Sequence, residues 1–392
     1  MAHLQVPSHG LRRASEARRA SVDEVWSADG VRDAAVLGLY WLAHPKVAAR
    51  VNILASGQPD VDPYAHLVRL LAARGWTLPI SRVISLGCGF GSLERDLAAR
   101  GLVDGVLGLD LAAGAITEAR RLASTASLDG LEYRVTDLEG AKLPRASAEL
   151  ILAHQAVHHI EDLEGLFQAV RLALRPGGVL HLHEFVGPKR FQWTDAQLAL
   201  GNAFLDSLPP RLRRLTSGAP KGRLHRPTIE TMLRTDPTEA IRSSDIRAAL
   251  SEEFRIIEER QLGGTLVHIV LGDIAQNFLP DDAEANLALD RLFLMEDEAM
   301  AAGRIGSDFV TYTAVPRRYG ALLSIRRALR LLRGRARPHP HVGVAEPAQS
   351  FDEAWYLTTF PDVSAAVEQG VFASAEDHWT QFGRAEGRPP SG

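Results

Sequence analysis

Residues 87–91 read Gly-Cys-Gly-Phe-Gly, and an aspartate, Asp110, follows nineteen residues later. Val83 and Ile84 lead into the glycines as a strand. Ser92-Leu93-Glu94-Arg95-Asp96-Leu97 leaves them as a helix. Glycine at alternate positions lets a chain turn sharply and lets a ligand approach the backbone, because no Cβ blocks either. A dinucleotide turn has the spacing G-x-G-x-x-G, which requires glycine at 92. Ser92 stands there, and the G-x-G-x-G spacing turns the reading away from a nicotinamide cofactor.

The segments that follow keep one rhythm. Val106-Leu107-Gly108-Leu109 reads as a second buried strand ending in Asp110, and Tyr133-Arg134-Val135-Thr136 as a third ending in Asp137. Glu149-Leu150-Ile151-Leu152-Ala153 runs into His154-Gln155-Ala156-Val157-His158-His159. The turn Leu174-Arg175-Pro176-Gly177-Gly178 then precedes the strand Val179–Phe185. Strands alternating with helical segments predict a parallel sheet that binds ligands at the carboxyl ends of its strands. A carboxylate at such an end offers only acceptors, which suits vicinal hydroxyls.

This set, in this order, resembles the class I S-adenosylmethionine-dependent methyltransferase family over roughly 81–188, with a continuation to about 316. The resemblance implies an α/β, Rossmann-like sheet and S-adenosyl-L-methionine as cofactor. It places Gly87, Gly89 and Gly91 along the methionine part, Asp110 on the ribose, and Asp137 with Leu138 at the adenine. Cys88, Leu111 and His154 complete the expected cofactor-binding set. The family often carries an acid two positions before the first glycine; here that position is Ser85.

Methyl transfer from a sulfonium needs an acceptor held in line, and a hydroxyl acceptor benefits from a general base. His158, His159 and Glu184 are the catalytic candidates, with His158 or Glu184 as the base. Alternation along the fifth strand sets His181 and His183 on one face and Leu182 and Glu184 on the other. Glu184 lies nearest the strand end. No metal is expected: His154, His158, His183 and Glu184 lack tight ligand spacing.

Around this sheet the chain divides into a basic flexible arm (1–30), a helical cap (31–80), the methyltransferase domain (81–316, with a substrate-side insertion at 189–250), an Arg-rich helix and linker (317–347) and a small helical accessory module (348–392). The stretch 207–228 holds Arg211, Arg213, Arg214, Lys221, Arg223 and Arg226 without an acid. It reads either as a receptor for an anionic acceptor or as a solvated loop. Phe191 and Trp193 either stack on the acceptor or pack in the core. In 317–337, Leu322, Ile325, Leu329 and Leu332 recur at helical spacing beside arginines, a pattern that lies on an anionic membrane surface or docks on its own domain. The last segment is similar to helical modules on bacterial cell-surface glycan enzymes, through Phe351–Leu357, Pro361-Asp362-Val363 and Phe382–Arg388.

The net charge of −4 places no general demand for nucleic acid or membrane, and nucleic acid is not expected as substrate. One cysteine excludes a disulfide within the chain and suits a reducing cytoplasm. The apolar run Ala34–Ala43 is half the roughly 20 residues a spanning helix needs. The expected activity is O-methylation of a sugar, nucleotide sugar or other polar small molecule. A small aromatic or lipid-precursor acceptor is the alternative, as is a catalytically silent scaffold in a glycan-assembly complex.

Overall fold

The computed structural model describes residues 41–317, 351–368, 374–379 and 389–391. The basic arm, the cap residues Val36, Leu37, Leu39 and Tyr40, the Arg-rich helix beyond Arg317, and Phe382–Arg388 lie outside the described residues. The chain divides into two compact units, Met1–Arg317 and Arg318–Gly392.

In the first unit, helices α1 (Pro45–Ser56) and α2 (Pro63–Ala73) both begin on proline, where the missing N–H has no intrahelical partner to lose. Asp62 caps α2 by accepting from the Tyr64 and Ala65 amides. The sheet follows: β1 (Val83–Leu86), α3 (Ser92–Ala99), β2 (Val106–Asp110), α4 (Ala113–Thr125), β3 (Leu131–Val135), β4 (Ala148–His154), α5 (Leu163–Ala173) and β5 (Leu174–Phe185). The insertion then supplies α6 (Asp195–Ser207), α7 (Ile229–Thr235) and α8 (Ile246–Glu253). After β6 (Phe254–Gly263) come α9 (Thr265–Leu271), α10 (Ala283–Ala301) and β7 (Phe309–Pro316).

The seven strands lie in the order β3-β2-β1-β4-β5-β7-β6. β1 pairs in parallel with β2 and β4, as do β2 with β3 and β4 with β5, whereas β7 runs antiparallel to β5 and β6. This is the Rossmann-like class I methyltransferase sheet with its closing antiparallel strand. Every residue of β1 is buried, as a strand covered on both faces requires. The order reverses between β1 and β4, so the crevice at the topological switch opens where Gly87 leaves β1 and Gln155 leaves β4.

Two elements differ from the sequence reading. β5 begins at Leu174, not Val179: Leu174 pairs with Ala148, the next pair is Leu150 with Val179, and the Pro-Gly-Gly between them bulges out of the ladder. Phe254-Arg255-Ile256-Ile257-Glu258 reads as a strand in the sequence, and β6 runs past it to Gly263, its pairing with β7 interrupted by irregularities at Ile256/Glu258 and Gln261/Gly263.

The helices cover both faces. Leu67 and Leu71 of α2 pack with Val83, Leu97 and Val106, while Leu166, Phe167 and Val170 of α5 pack with Ile151, Leu180 and Leu250. Val47, Val51 and Ala55 of α1 join a third core with Phe204, Leu266, Leu289 and Phe309, which sets α1 against β6 and α10. No helix among the described residues is long and apolar enough to cross a membrane.

The second unit contains α11 (Glu353–Thr359), α12 (Pro361–Glu368) and α13 (Ala375–His378). Tyr356, Val363, Ala375 and Trp379 form its own small core, and Glu353 accepts from the Ala375 amide at 2.9 Å.

Candidate active site

The glycine turn sits at the end of β1 with all three glycines at positive φ (Gly87 64°, Gly89 51°, Gly91 69°). They are not equivalent. A Cβ on Gly87 would collide with the Cβ of Ala156 at the exit of β4, whereas a Cβ on Gly89 would meet nothing within 4 Å. Gly87 therefore closes the crevice against β4, and Gly89 presents bare backbone to open space, as a cradle for a ligand does. Asp110 ends β2 beside it, Oδ2 accepting from the Gly89 amide at 2.8 Å and Oδ1 from Ala112 at 2.8 Å. The structure thus brings Gly87, Gly89, Gly91 and Asp110 together. Asp137 lies beyond β3 and accepts from the Glu139 amide at 3.0 Å. Leu138 is buried with Leu109 and Val157, and Leu111 is half-buried. Burial, with help from Glu94 and Asp110, holds the Cys88 thiol far above its ordinary pKa, so it is a filler and not a nucleophile.

The missing acid at Ser85 is met from elsewhere. Ser85 Oγ donates to Glu94 Oε1, which brings a carboxylate from the first turn of α3 under the glycine turn. Glu94 is 1 % exposed, and burial raises its pKa. The sequence reading missed it, because a glutamate in a helix's first turn ordinarily signals only complementarity to the helix dipole.

At the exits of β4 and β5 the histidines divide between the two faces of the sheet. His154 Nδ1 lies 2.6 Å from the Tyr64 hydroxyl of α2 and edge-on to His183, with His181 beyond. Burial lowers the pKa of all three. On the opposite face, Glu184 is wholly buried. Its Oε1 accepts from the amides of Ala156 (2.8 Å) and Val157 (2.7 Å), and its Oε2 from His158 Nδ1 (2.8 Å). Glu184 thus anchors His158 and the chain leaving β4, with both oxygens engaged inside the protein. Burial opposes charge on His158, but the hydrogen bond and charge of Glu184 outweigh it and raise its pKa. His159, its ring tilted 38° to that of His158 at 4.3 Å, is driven well below the ordinary imidazole value by burial and by its neighbour.

Both histidines face residues of the insertion that the sequence did not single out. Glu239 Oε1 lies 3.5 Å from His158 Nε2, and Oε2 lies 3.9 Å from His159 Nε2. Thr238 Oγ1 meets His159 Nδ1 at 3.0 Å and itself donates to Asp236 at 2.6 Å. Nothing in Asp236-Pro237-Thr238-Glu239 distinguishes it from a loop until the fold closes it over β4.

Glu239 and Asp236 also line a cavity of about 480 Å³ with Phe191, Trp193, Pro227 and Met232. Phe191 and Trp193 stack face to face, 5.5 Å apart at 10°. Arg190 and Phe191 both take positive φ to set up that stack, strain of a kind that gathers at functional sites. The basic stretch lends the cavity His225 and Pro227, but none of its arginines nor Lys221 lines it. Arg211 pairs with Asp282 and Glu284, Arg226 with Asp195, and Arg223 lies 3.5 Å from Asp206. Lys221 reaches the carbonyls of Ile269, Val270 and Gly272 at the end of α9, and burial lowers its pKa to about 8.

Residues 84–182 match the family model described as "Methyltransferase domain". The chain is 32% identical over 99 residues to a ubiquinone biosynthesis O-methyltransferase of Methylocella silvestris, covering 25% of this chain and 38% of that protein. It is 34% identical over 116 residues to a malonyl-[acyl-carrier protein] O-methyltransferase of Enterobacter lignolyticus, covering 30% and 41%. The chain spans less than half the length of these relatives. Among solved structures, an S-adenosylmethionine-dependent methyltransferase of Mesorhizobium loti is similar with a TM-score of 0.36 and 22% identity, over 64% of this chain and 98% of that one. Strand order, glycine turn and family model agree on this stretch: residues 84–182 match a methyltransferase domain, set in a Rossmann-like sheet.

Proposed function

We propose that this chain transfers a methyl group from S-adenosylmethionine to a hydroxyl of a neutral small molecule with a flat apolar body, a phenol being the acceptor class that fits best. The cavity beside the His158–Glu184 pair carries this reading: it is walled by a stacked Phe191–Trp193 pair and has no lysine or arginine among its lining residues. Arg211, Arg213, Arg223 and Arg226 of the basic stretch pair with acids and Lys221 with carbonyls of the same protein, which weighs against a nucleotide sugar or other phosphorylated acceptor. A neutral sugar is the second reading. Its ring also stacks on aromatic side chains, and Asp236 and Glu239 offer acceptors for its hydroxyls.

The cofactor supplies an electrophilic methyl on a sulfonium. The chain must hold it, hold the acceptor and manage the acceptor's proton. Gly87, Cys88, Gly89 and Gly91 with Asp110, Leu111, Asp137 and Leu138 serve the first task, and Glu94 supports the turn from beneath. For the last task, His158 with Nδ1–H on Glu184 turns its Nε2 lone pair toward the cavity wall. That makes Glu184 a positioning residue and His158 the group acting on the acceptor, with His159 beside it. His154, engaged with Tyr64, borders the cofactor side. The C-terminal helical unit is an interaction appendix in this reading, and its link to glycan enzymes rests on sequence resemblance alone.

Incubation with methyl-labelled S-adenosylmethionine and three acceptor panels (phenols, neutral sugars, nucleotide sugars) tests the assignment. Turnover is expected with phenols, with KM raised about tenfold in Trp193→Ala, the effect of roughly 1.4 kcal/mol of lost stacking. Turnover confined to nucleotide sugars would overturn the acceptor class, and none with any panel would overturn the activity.

A further inference from the structure

The protons around His158, His159 and Glu239 can be assigned from their partners. His158 Nδ1 faces the Glu184 carboxylate, so its proton sits on Nδ1 and its lone pair on Nε2. Thr238 gives its one hydroxyl proton to Asp236, so toward His159 Nδ1 it accepts; His159 is therefore also Nδ1-protonated, with its lone pair on Nε2. Both lone pairs point at the Glu239 carboxylate, 3.5 and 3.9 Å away. Three electron-pair donors, His158 Nε2, His159 Nε2 and the Glu239 carboxylate, therefore converge.

We propose that His158, His159 and Glu239 bind a divalent first-row transition-metal ion, zinc or one of its neighbours. Their ligand atoms lie within 4.8 Å of one another. Ligands about 2.0–2.1 Å from a tetrahedral zinc stand about 3.4 Å apart, so small side-chain adjustments close the site. Two imidazoles and a carboxylate are a donor set for the borderline metals, not for magnesium or calcium. The surroundings are those of a ligand set: metal-binding histidines donate their other N–H to a carboxylate or similar acceptor, as His158 does to Glu184 and His159 to Thr238. Arg190, the neighbouring cation, is held on the Pro237 carbonyl. Because Glu239 also lines the cavity, the ion's remaining positions would face the acceptor. This last point rests on the proposed function; the ion site itself does not. With the ion bound, His158 Nε2 would be a ligand and not a base, and the ion would instead polarise the acceptor hydroxyl so that its proton leaves to solvent; without the ion His158 acts as the base directly.

The test is titration of the chelator-stripped full chain with Co²⁺, whose visible absorption reports its coordination, followed by displacement with Zn²⁺. One Co²⁺ per chain is expected. Its affinity should fall at least 100-fold in His159→Gln and in Glu239→Gln, and about 10–100-fold in Thr238→Val, which removes only the supporting contact. Substituting His339 and His341, outside the described residues, should leave it unchanged. Calorimetry with S-adenosylmethionine checks that each variant is folded, and because it reads the other half of the crevice, it separates failure of this site from failure of the methyl-transfer assignment. Absence of stoichiometric Co²⁺ uptake by the wild type, or uptake untouched by both ligand substitutions in variants that still bind S-adenosylmethionine, would overturn the proposal.

Discussion

On the β1–β2 side of the crevice the ligand-facing groups fall within residues 85–110: a glycine turn, the carboxylate that pins it, and a buried glutamate beneath. On the β4–β5 side, His158, Glu184 and Glu239 arrive from three separate segments and meet only in the folded protein. The first side works through backbone shape, because the cofactor is large and its position must be fixed. The second works through side chains whose protons and charges are set by one another. Backbone shape writes itself into local sequence as glycine spacing; mutual electrostatics does not.

Substitutions should therefore separate the two sides. His158→Ala is expected to reduce turnover by about 10²–10⁴-fold, the range for loss of a positioned acid–base group, with S-adenosylmethionine affinity unchanged. Asp110→Ala should do the reverse, weakening cofactor binding by about 10²–10³-fold through lost charge-assisted hydrogen bonds of roughly 1.5–3 kcal/mol each. Single-turnover kinetics beside calorimetry would read both, and a His158 variant that lost the cofactor as well would erase the distinction.

Within the cofactor side, shape itself can be probed. Gly87→Ala forces a methyl into Ala156 at positive φ, an expected loss of about 3 kcal/mol in denaturant unfolding. Gly89→Ala meets open space and carries only the strain of its φ, about 1 kcal/mol. Equal losses would mean that Gly89 does not face an open cradle.

A last effect concerns pH. Burial holds His181 at about 3 and His268 at about 4, below the unfolded value of 6.5. Their neutral forms stabilise the fold fully above pH 6.5, and that contribution falls as pH drops through 6.5 toward the folded values. At pH 5 each should cost about 2 kcal/mol. Thermal melts from pH 7.5 to 5 would show it, and His268→Leu should flatten the slope.

Much of the first side was legible in sequence. The turn and Asp110 stand where their residues predicted, since glycine spacing and strand-end acids are local signals. Glu94 was not legible, because its role depends on Ser85 lying across from it in β1. Glu239 was not, because its partner is 81 residues away. The basic stretch, open between an anion receptor and a solvated loop, was undecided for the same reason: Arg211 and Arg226 look uncompensated until Asp282 and Asp195 are folded against them. Alternation along β5 separated His183 from Glu184 correctly, but could not show that Glu184 turns inward to the amides of Ala156 and Val157.

Every residue that lines the cavity lies between Phe191 and Glu239. One uninterrupted length of chain thus supplies the whole wall, while the groups that hold the methyl donor stay outside it. Side chains on that one length can change what the cavity accepts without altering the glycine turn or Asp110, which belong to other segments.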